Sequence, residues 1–447
     1  MQRLMINKLL AWKESSFRKP LILKGIRQVG KTWLLKEFGK LYYENTAYFN
    51  FGENIDYKQF FETTKDVKRI LRNLMLVSGQ KIEPHKTLVI FDEIQDCPNV
   101  INSLKYFCEN APEYHIACAC SQLGIALAMS SSFPVGKVKL LHVNPMTFTE
   151  FLLANKDDNL VEYLNSIDIL EPIPQTFFNK LCEKLKMYYV TGGMPEPIQR
   201  WSELNDVEAM QESLSSIITA YERDFAKHPN ISEYPKISMI FRSIPSQLAR
   251  ENKKFLFNVV KNGARAREYK NALQWLVDAG IVHKIYRSSS PSFPLIAYDD
   301  KSAFKIYLAD VGLLRALFKL PTFAFGEKNR LFTEFKGALT ENFVLQSLVC
   351  QSDLTPRYWS QNNPSYEVDF LIQKEDDIYP IEVKADNNTK ATSLKKFKEL
   401  FSDKVKLRIR YSLDNLKLEG DVLNIPLFMI DYTDSLIKLA LNKLDKS

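Results

Sequence analysis

Apolar and polar positions fall along this chain in blocks that predict an α/β protein. Leu21-Ile22-Leu23 is a short continuous apolar run that reads as a strand. After a loop comes "KTWLLKEFGKLY", Lys31 to Tyr42, in which Trp33, Leu34, Leu35 and Phe38 recur at helical spacing and Gly39 is the expected break. Leu88 to Phe91 is a second apolar run, the pattern of a strand buried on both faces, and "HIACAC", His115 to Cys120, is a third. "LLHV" predicts a further short strand before a helix opened by "NPMTFTEF". From about Ser202 to Ala226 the pattern is helical throughout.

The second half alternates helix and strand patterns. Tyr269, Leu273 and Leu276 share one helical face, Gly280 is a natural stop, and "IVHKIYR" opens a hairpin. In "EFKGALTENFVLQSLV", Glu341 lies on one face with Ala338, Leu345 and Leu348, and a carboxylate on an apolar face needs a partner. Strand alternation in "YEVDFLI" sets Glu367, Asp369 and Leu371 on one side and Val368, Phe370 and Ile372 on the other. In "YPIEVKA" the same alternation pairs Glu382 with Lys384 while Ile381 and Val383 face the core. "SDLTPRYWSQNNPS", Ser352 to Ser365, reads as a strand and loop leading into the Asp369 strand.

A length of 447 residues implies two to four domains, and 45% hydrophobic with 25% charged residues is ordinary for a globular protein. No apolar run approaches the roughly 18 residues of a membrane span. The N-terminal "MQRLMINKLLAWKESSFRKP" mixes charges among its apolar residues and lacks a small-residue cleavage site, so the expected location is the cytoplasm, with no membrane partner. The six cysteines form no CxxC pair and no histidine lies at zinc-ligand spacing from them. A formal charge of +7 permits nucleic-acid binding without demanding it.

The candidate chemistry begins at "GIRQVGKT", Gly25 to Thr32, between the first strand and the first long helix. Backbone N–H groups of such a loop and the helix N-terminus together form an anion site. Gly25 and Gly30 remove side chains where the backbone bends and approaches phosphate. Lys31 can reach the β- and γ-phosphates of ATP, and the Thr32 hydroxyl can ligate Mg²⁺. "TLVIFDEIQD" adds a buried strand ending in Asp92, to hold Mg²⁺, and Glu93, to act as general base on water. Ser121 and Gln122 end the next strand; Ser121 is either a γ-phosphate sensor or a simple cap. Lys137, on the Pro134–Gly136 turn, is either a phosphate contact or a solvated lysine. Arg200 and Arg223 are candidate trans-acting arginines if copies assemble, and surface residues otherwise.

With "GIRQVGKT", "LVIFDEIQD", "SSFPVGKV", "YYVTGGMPEPI", "YEVDFLI" and "YPIEVKA" in this order, nearly the whole chain resembles prokaryotic AAA-like P-loop ATPases whose C-terminal half is a domain of unknown function. The resemblance implies a P-loop ATPase core of the additional-strand type with a parallel sheet, a helical region, a winged helix, and a restriction-endonuclease-like α/β domain similar to PD-(D/E)XK nucleases. The sensor stretch departs from the family habit of several small hydroxyl residues, reading "CACSQLG". The expected boundaries are 1–155 for the ATPase core, 156–230 for the helical region, 231–320 for the winged helix and 330–447 for the nuclease-like domain. "KLPTFAFGEKNR", Lys319 to Arg330, is the expected linker.

The helix and hairpin after residue 260 also suggest a winged helix-turn-helix on their own pattern. Its basic lead-in of Lys261, Arg265, Arg267 and Lys270 suits either DNA phosphates or a protein-packing role. Asp369 and Glu382 as metal ligands, Glu341 supporting them and Lys384 stabilising charge would suit metal-assisted phosphodiester hydrolysis; the competing reading is a structural ion-pair network that does not cut. Two functions follow. One is an ATP-hydrolysing DNA-processing enzyme with a metal-dependent nuclease domain; the other is an ATP-regulated switch or binding protein whose nuclease-like domain leaves DNA intact.

Overall fold

The computed structural model describes residues 1–121, 133–226, 230–250, 253–320, 330–351, 356–362, 365–385 and 392–446. Gln122 and the body of the expected linker, with Pro321 and Gly326, lie outside the described residues. The chain forms two compact units, one of Gln2–Asn144 with Gln274–Ile281, the other of Met1, Pro145–Leu273 and Val282–Ser447. Among the described residues no helix is long and apolar enough to cross a membrane.

The first unit is built on five strands: β1 (Leu21–Lys24), β2 (Asn45–Asn50), β3 (Thr87–Asp92), β4 (His115–Cys120) and β5 (Lys139–His142), in the order β2-β3-β4-β1-β5. Every neighbouring pair is parallel. Parallel pairing requires crossovers, and the helices Lys31–Tyr42, Val67–Ser78 and Pro98–Asn110 supply them. All residues of β3 and β4 are buried, as their unbroken apolar runs require of central strands. The core gathers Ile22, Phe49, Val89, Phe91, Phe107 and Cys118. Because β4 lies between β1 and β3, the C-terminal ends of these three strands stand side by side, where open α/β sheets bind ligands.

One element differs from the pattern-based expectation for a packing reason. The helix Lys31–Tyr42 runs through Gly39 rather than breaking there. A Cβ at Gly39 would stand 2.3 Å from Thr46 Oγ1, so this glycine serves the close approach of the helix to β2.

The second unit begins with helices that include Phe148–Ala154, Gln175–Thr191, Pro195–Leu204 and Val207–Phe225. The expected single helix over 202–226 is two. Asn205 takes φ +50°, ending one, and the Asp206 carboxylate accepts from the backbone N–H groups of Glu208 and Ala209 to start the next. "TGG" then meets a later helix: a Cβ at Gly312 would lie 2.6 Å from the Cα and N of Gly192 and from the Thr191 carbonyl oxygen. Beside this crossing the fully buried Asp310 accepts from the backbone N–H groups of Gly193 and Leu313, at 2.5 and 2.9 Å, and from the Gln346 amide at 3.2 Å.

The helices Tyr234–Leu248 and Ala266–Asp278 precede β6 (Val282–Ser288) and β7 (Asp299–Leu308), an antiparallel pair. With β8 (Arg357–Asn362), β9 (Ser365–Lys374), β10 (Asp377–Val383), β11 (Arg408–Ser412), β12 (Lys417–Glu419) and β13 (Val422–Pro426) they make one eight-stranded sheet, ordered β12-β13-β11-β10-β9-β8-β6-β7. The hairpin expected in the 231–320 region therefore shares its sheet with strands of the C-terminal region. The strand read into "SDLTPRYWSQNNPS" is β8, antiparallel to β9.

Candidate functional site

The glycine loop runs from the end of β1 into the helix Lys31–Tyr42. Gln28 at φ +65° and Gly30 at φ +90° take left-handed conformations, the kind of backbone from which anion-binding loops are built. Gly25 has a different constraint, since a Cβ there would stand 2.3 Å from the Val143 carbonyl oxygen just after β5. The Lys31 ammonium is buried and donates to the carbonyl oxygens of Gly25 and Ile26 at 3.0 and 2.9 Å. Burial lowers its pKa to about 8, partly countered by the negative charge of Glu93 and Asp92.

Asp92, the last residue of β3, is buried. Its Oδ2 accepts from Thr32 Oγ1 at 2.7 Å and from the Tyr48 hydroxyl at 2.8 Å, and its Oδ1 accepts from the Glu93 backbone N–H at 2.9 Å. The next residue, Glu93, takes φ +52°, a conformation non-glycine residues rarely hold. Its Oε2 accepts from the Gln95 side-chain amide and from Ser121 Oγ, the latter at 3.3 Å. Lys31, Thr32, Asp92, Glu93 and Ser121 thus come from three neighbouring strand ends. Thr32 and Asp92 offer the hard oxygen donors that Mg²⁺ prefers, and a buried ammonium held by two carbonyls is a cation able to turn to phosphate; the residues fit Mg²⁺-ATP.

Pattern reading missed Tyr48 and Gln95. Tyr48 lies in an ordinary strand sequence, "NTAYFN", with no local mark; Gln95 stands two residues past Glu93 in the "DEIQD" string, and that proximity was the available signal. Lys137 pairs with Glu109 at 2.8 Å and Arg200 with Glu196 at 3.6 Å, both on exposed side chains. Arg223 is exposed, as are Lys261, Arg265, Arg267 and Lys270.

The C-terminal residues occupy the second unit. Asp369 on β9 accepts the Val383 backbone N–H at Oδ2, 2.8 Å, and the β9–β10 register carried one residue further sets Glu382 across from it. Glu382 Oε1 lies 2.6 Å from Lys384 Nζ, while Oε2 is buried without a hydrogen-bond partner. Glu341, on the helix Arg330–Gln351, pairs with Lys253 and accepts the Tyr307 hydroxyl at 3.2 Å. Lys305 on β7 is fully buried and pairs with Glu367. Burial alone would lower the Lys305 pKa, but Glu367, Glu341 and Asp369 outweigh it and raise it. Burial, then the charge of Glu341, pushes Asp369 up to about 7. Burial alone would raise Glu341 as well, yet Lys253 and Lys305 draw it below its ordinary value.

Lys253, Lys305 and Tyr307 also escaped the sequence reading. The signal for Lys305 was a lysine inside the apolar stretch "AFKIYL". Among the described residues no three His, Cys, Asp or Glu side chains are grouped so as to hold a metal ion. Of the residues expected as a metal site, Glu341 pairs with Lys253, Glu382 pairs with Lys384, and Asp369 meets the charges of Glu341 and Lys305.

Three family models match the chain: the AAA domain over residues 17–152, a domain of unknown function (DUF8612) over 182–324, and a domain of unknown function (DUF4143) over 336–428. No curated protein matches the sequence. Among solved structures, the Walker-type ATPase PABY2304 of Pyrococcus abyssi is 15% identical, with 71% of this chain and 95% of that chain covered and a TM-score of 0.44. The signal-transduction ATPase PH0952 of Pyrococcus horikoshii, with a tetratricopeptide repeat sensor, is 12% identical, with coverages of 79% and 46% and a TM-score of 0.26. The RuvB Holliday junction branch migration motor of Thermotoga maritima is 14% identical, with coverages of 65% and 90% and a TM-score of 0.29. The AAA match, the glycine loop and the parallel sheet make the N-terminal region a P-loop ATPase domain.

Proposed function

We propose that this protein binds ATP with Mg²⁺ and hydrolyses it at the glycine loop. The observation that carries the reading is the oxygen of Asp92 shared by Thr32 and Tyr48, because it joins the loop to the carboxylate that a nucleotide-bound Mg²⁺ needs. Thr32 and Asp92 would hold Mg²⁺, which when bound supplies positive charge to the β- and γ-phosphates. Lys31 exchanges its two carbonyl acceptors for phosphate oxygens. Gly30 keeps the loop turned so that backbone N–H groups face the phosphates, and Gly25 keeps β1 close to the chain leaving β5. Glu93, its Oε2 steadied by Gln95 and Ser121, takes a proton from the attacking water at Oε1. The water oxygen bonds to the γ-phosphorus, the bond to the β-phosphate oxygen breaks, and ADP and inorganic phosphate leave. Glu93→Gln should bind ATP and fail to turn it over; turnover equal to wild type would remove Glu93 as base and this mechanism with it.

For the second unit, the finer reading is a nuclease-like domain preceded by a winged helix whose exposed Lys261, Arg265, Arg267 and Lys270 bind DNA phosphates. Metal-dependent cleavage would use Glu341, Asp369, Glu382 and Lys384. Recognition without cleavage, governed by the nucleotide, is the reading favoured by one observation, the buried Lys305 among the carboxylates. Incubation of the protein with single- and double-stranded DNA, Mn²⁺ and ATP separates the two: products that vanish in Glu382→Ala would restore cleavage.

A further inference from the structure

We propose that the carboxylate cluster of the second unit carries its own cation, the ammonium of Lys305, and is thereby closed to a divalent metal ion. Lys305 lies in the stretch Ala303–Leu308, every residue of which is buried, and has no exposed surface of its own. An ammonium is kept in such surroundings only by opposite charge and hydrogen bonds. Here Glu367 supplies an ion pair, Glu341 and Asp369 supply further negative charge, and the Tyr358 ring faces the ammonium at 4.8 Å.

Most of the oxygens a metal would need are engaged elsewhere, both of Glu341 and one each of Glu367, Asp369 and Glu382. Glu341 uses one on Lys253 and the other on the Tyr307 hydroxyl. Glu367 uses one on Lys305, and Asp369 uses Oδ2 on the Val383 N–H. The oxygens left over, Glu382 Oε2 with Asp369 Oδ1 and Glu367 Oε2, belong to side chains that, among the described residues, are not grouped in threes so as to hold a metal ion. Two lysines and an Mg²⁺ ion would also repel one another in a water-poor interior, where charges are weakly screened. The cluster is thus a closed network of lysines and carboxylates that fixes β7, β9 and the helix Arg330–Gln351 together. This deepens the recognition reading above and rests on it only for the consequence that the domain engages DNA without cutting it.

The test uses the nucleotide-free full-length chain carrying Asp92→Asn, so that the glycine loop contributes no ion. Mn²⁺ is titrated by calorimetry, and thermal midpoints are measured with and without Mn²⁺. The expected result is no saturable Mn²⁺ binding by this chain, and binding gained on adding Lys305→Ala, with a Mn²⁺-dependent rise in midpoint that Asp369→Asn abolishes. Binding by the chain with Lys305 intact that disappears in Asp369→Asn overturns the proposal. So does a folded Lys305→Ala chain that gains none. Should Lys305→Ala fail to fold even with Mn²⁺, the intact-Lys305 chain compared with its Asp369→Asn variant decides the matter alone. DNA cleavage lost in Asp369→Asn would overturn the recognition reading as well, whereas Mn²⁺ binding without cleavage overturns only the closed cluster.

Discussion

Thr32 Oγ1 donates to Asp92 Oδ2 across 2.7 Å, joining two residues 60 positions apart at the meeting of loop, helix and strand. The bond expected to give way to Mg²⁺ is this one. Thr32→Val keeps the side-chain shape and removes the hydroxyl; ATP turnover should fall about tenfold or more, since a charge-assisted hydrogen bond is worth about 1.5–3 kcal/mol. Thr32→Ser should recover most of it. Steady-state turnover against Mg²⁺ concentration checks both, and equal Mg²⁺ dependence in Thr32→Val would remove Thr32 from the metal's coordination.

Gln95→Ala should lower kcat by up to ~10²-fold, the scale of loss when a reacting group is misplaced by about 1 Å. The KM for ATP should hardly move, because Gln95 touches Glu93 and Ser121 and not the glycine loop. Combined with Glu93→Gln it should cost nothing further, since both changes act through one carboxylate. A Gln95→Ala defect confined to KM would reject this positioning role.

Lys31→Ala should abolish ATP binding, measured by a fluorescent nucleotide, while the circular dichroism spectrum stays as in wild type. Its buried ammonium costs desolvation in the free protein, so the variant should unfold at an equal or higher temperature. Nucleotide binding as tight as in wild type would reject Lys31 as a phosphate ligand.

In the second unit, Gly312→Ala should destabilise by about 1–3 kcal/mol, the usual cost of overpacking. The obstacle is backbone: Gly192 Cα and N and the Thr191 carbonyl oxygen would all lie 2.6 Å from the added Cβ. Urea unfolding measures this, and a midpoint unchanged from wild type would mean that the crossing can open.

His115 sets a pH response in the first unit. It is buried, its Nδ1 shares a 2.7 Å hydrogen bond with the Tyr43 hydroxyl, and its Nε2 has no hydrogen-bond partner. Burial, followed by the positive charges of Arg18, His85 and Lys13, lowers its pKa to about 4. The unfolded chain takes up a proton there near pH 6.5, whereas the folded one resists until about 4. The stability tied to neutral His115 is therefore complete above 6.5 and is lost as pH falls toward 4. His115→Gln should flatten the fall in urea midpoint between pH 7 and pH 5; an identical slope would show that other groups cause it.

Much of this protein is local in origin and legible from the chain alone. Unbroken apolar runs marked β3 and β4 as central strands, because a strand covered on both faces has no use for polar side chains. The glycine loop and Asp92-Glu93 were legible because a loop able to hold a phosphate and its ion must do so through neighbouring backbone, so its spacing is short and constrained. The strand alternation around Asp369 and Glu382 was equally visible, as was the helical face of Glu341. Tertiary structure decided what those groups face. Tyr48 reaches Asp92 only because β2 pairs with β3, and Gly39 continues its helix because Thr46 presses against it. Lys305 and Lys253 meet Glu367 and Glu341 from positions 62 and 88 residues away. Periodicity reports which side of an element a residue occupies; the charge waiting on that side belongs to another part of the chain and is supplied by folding.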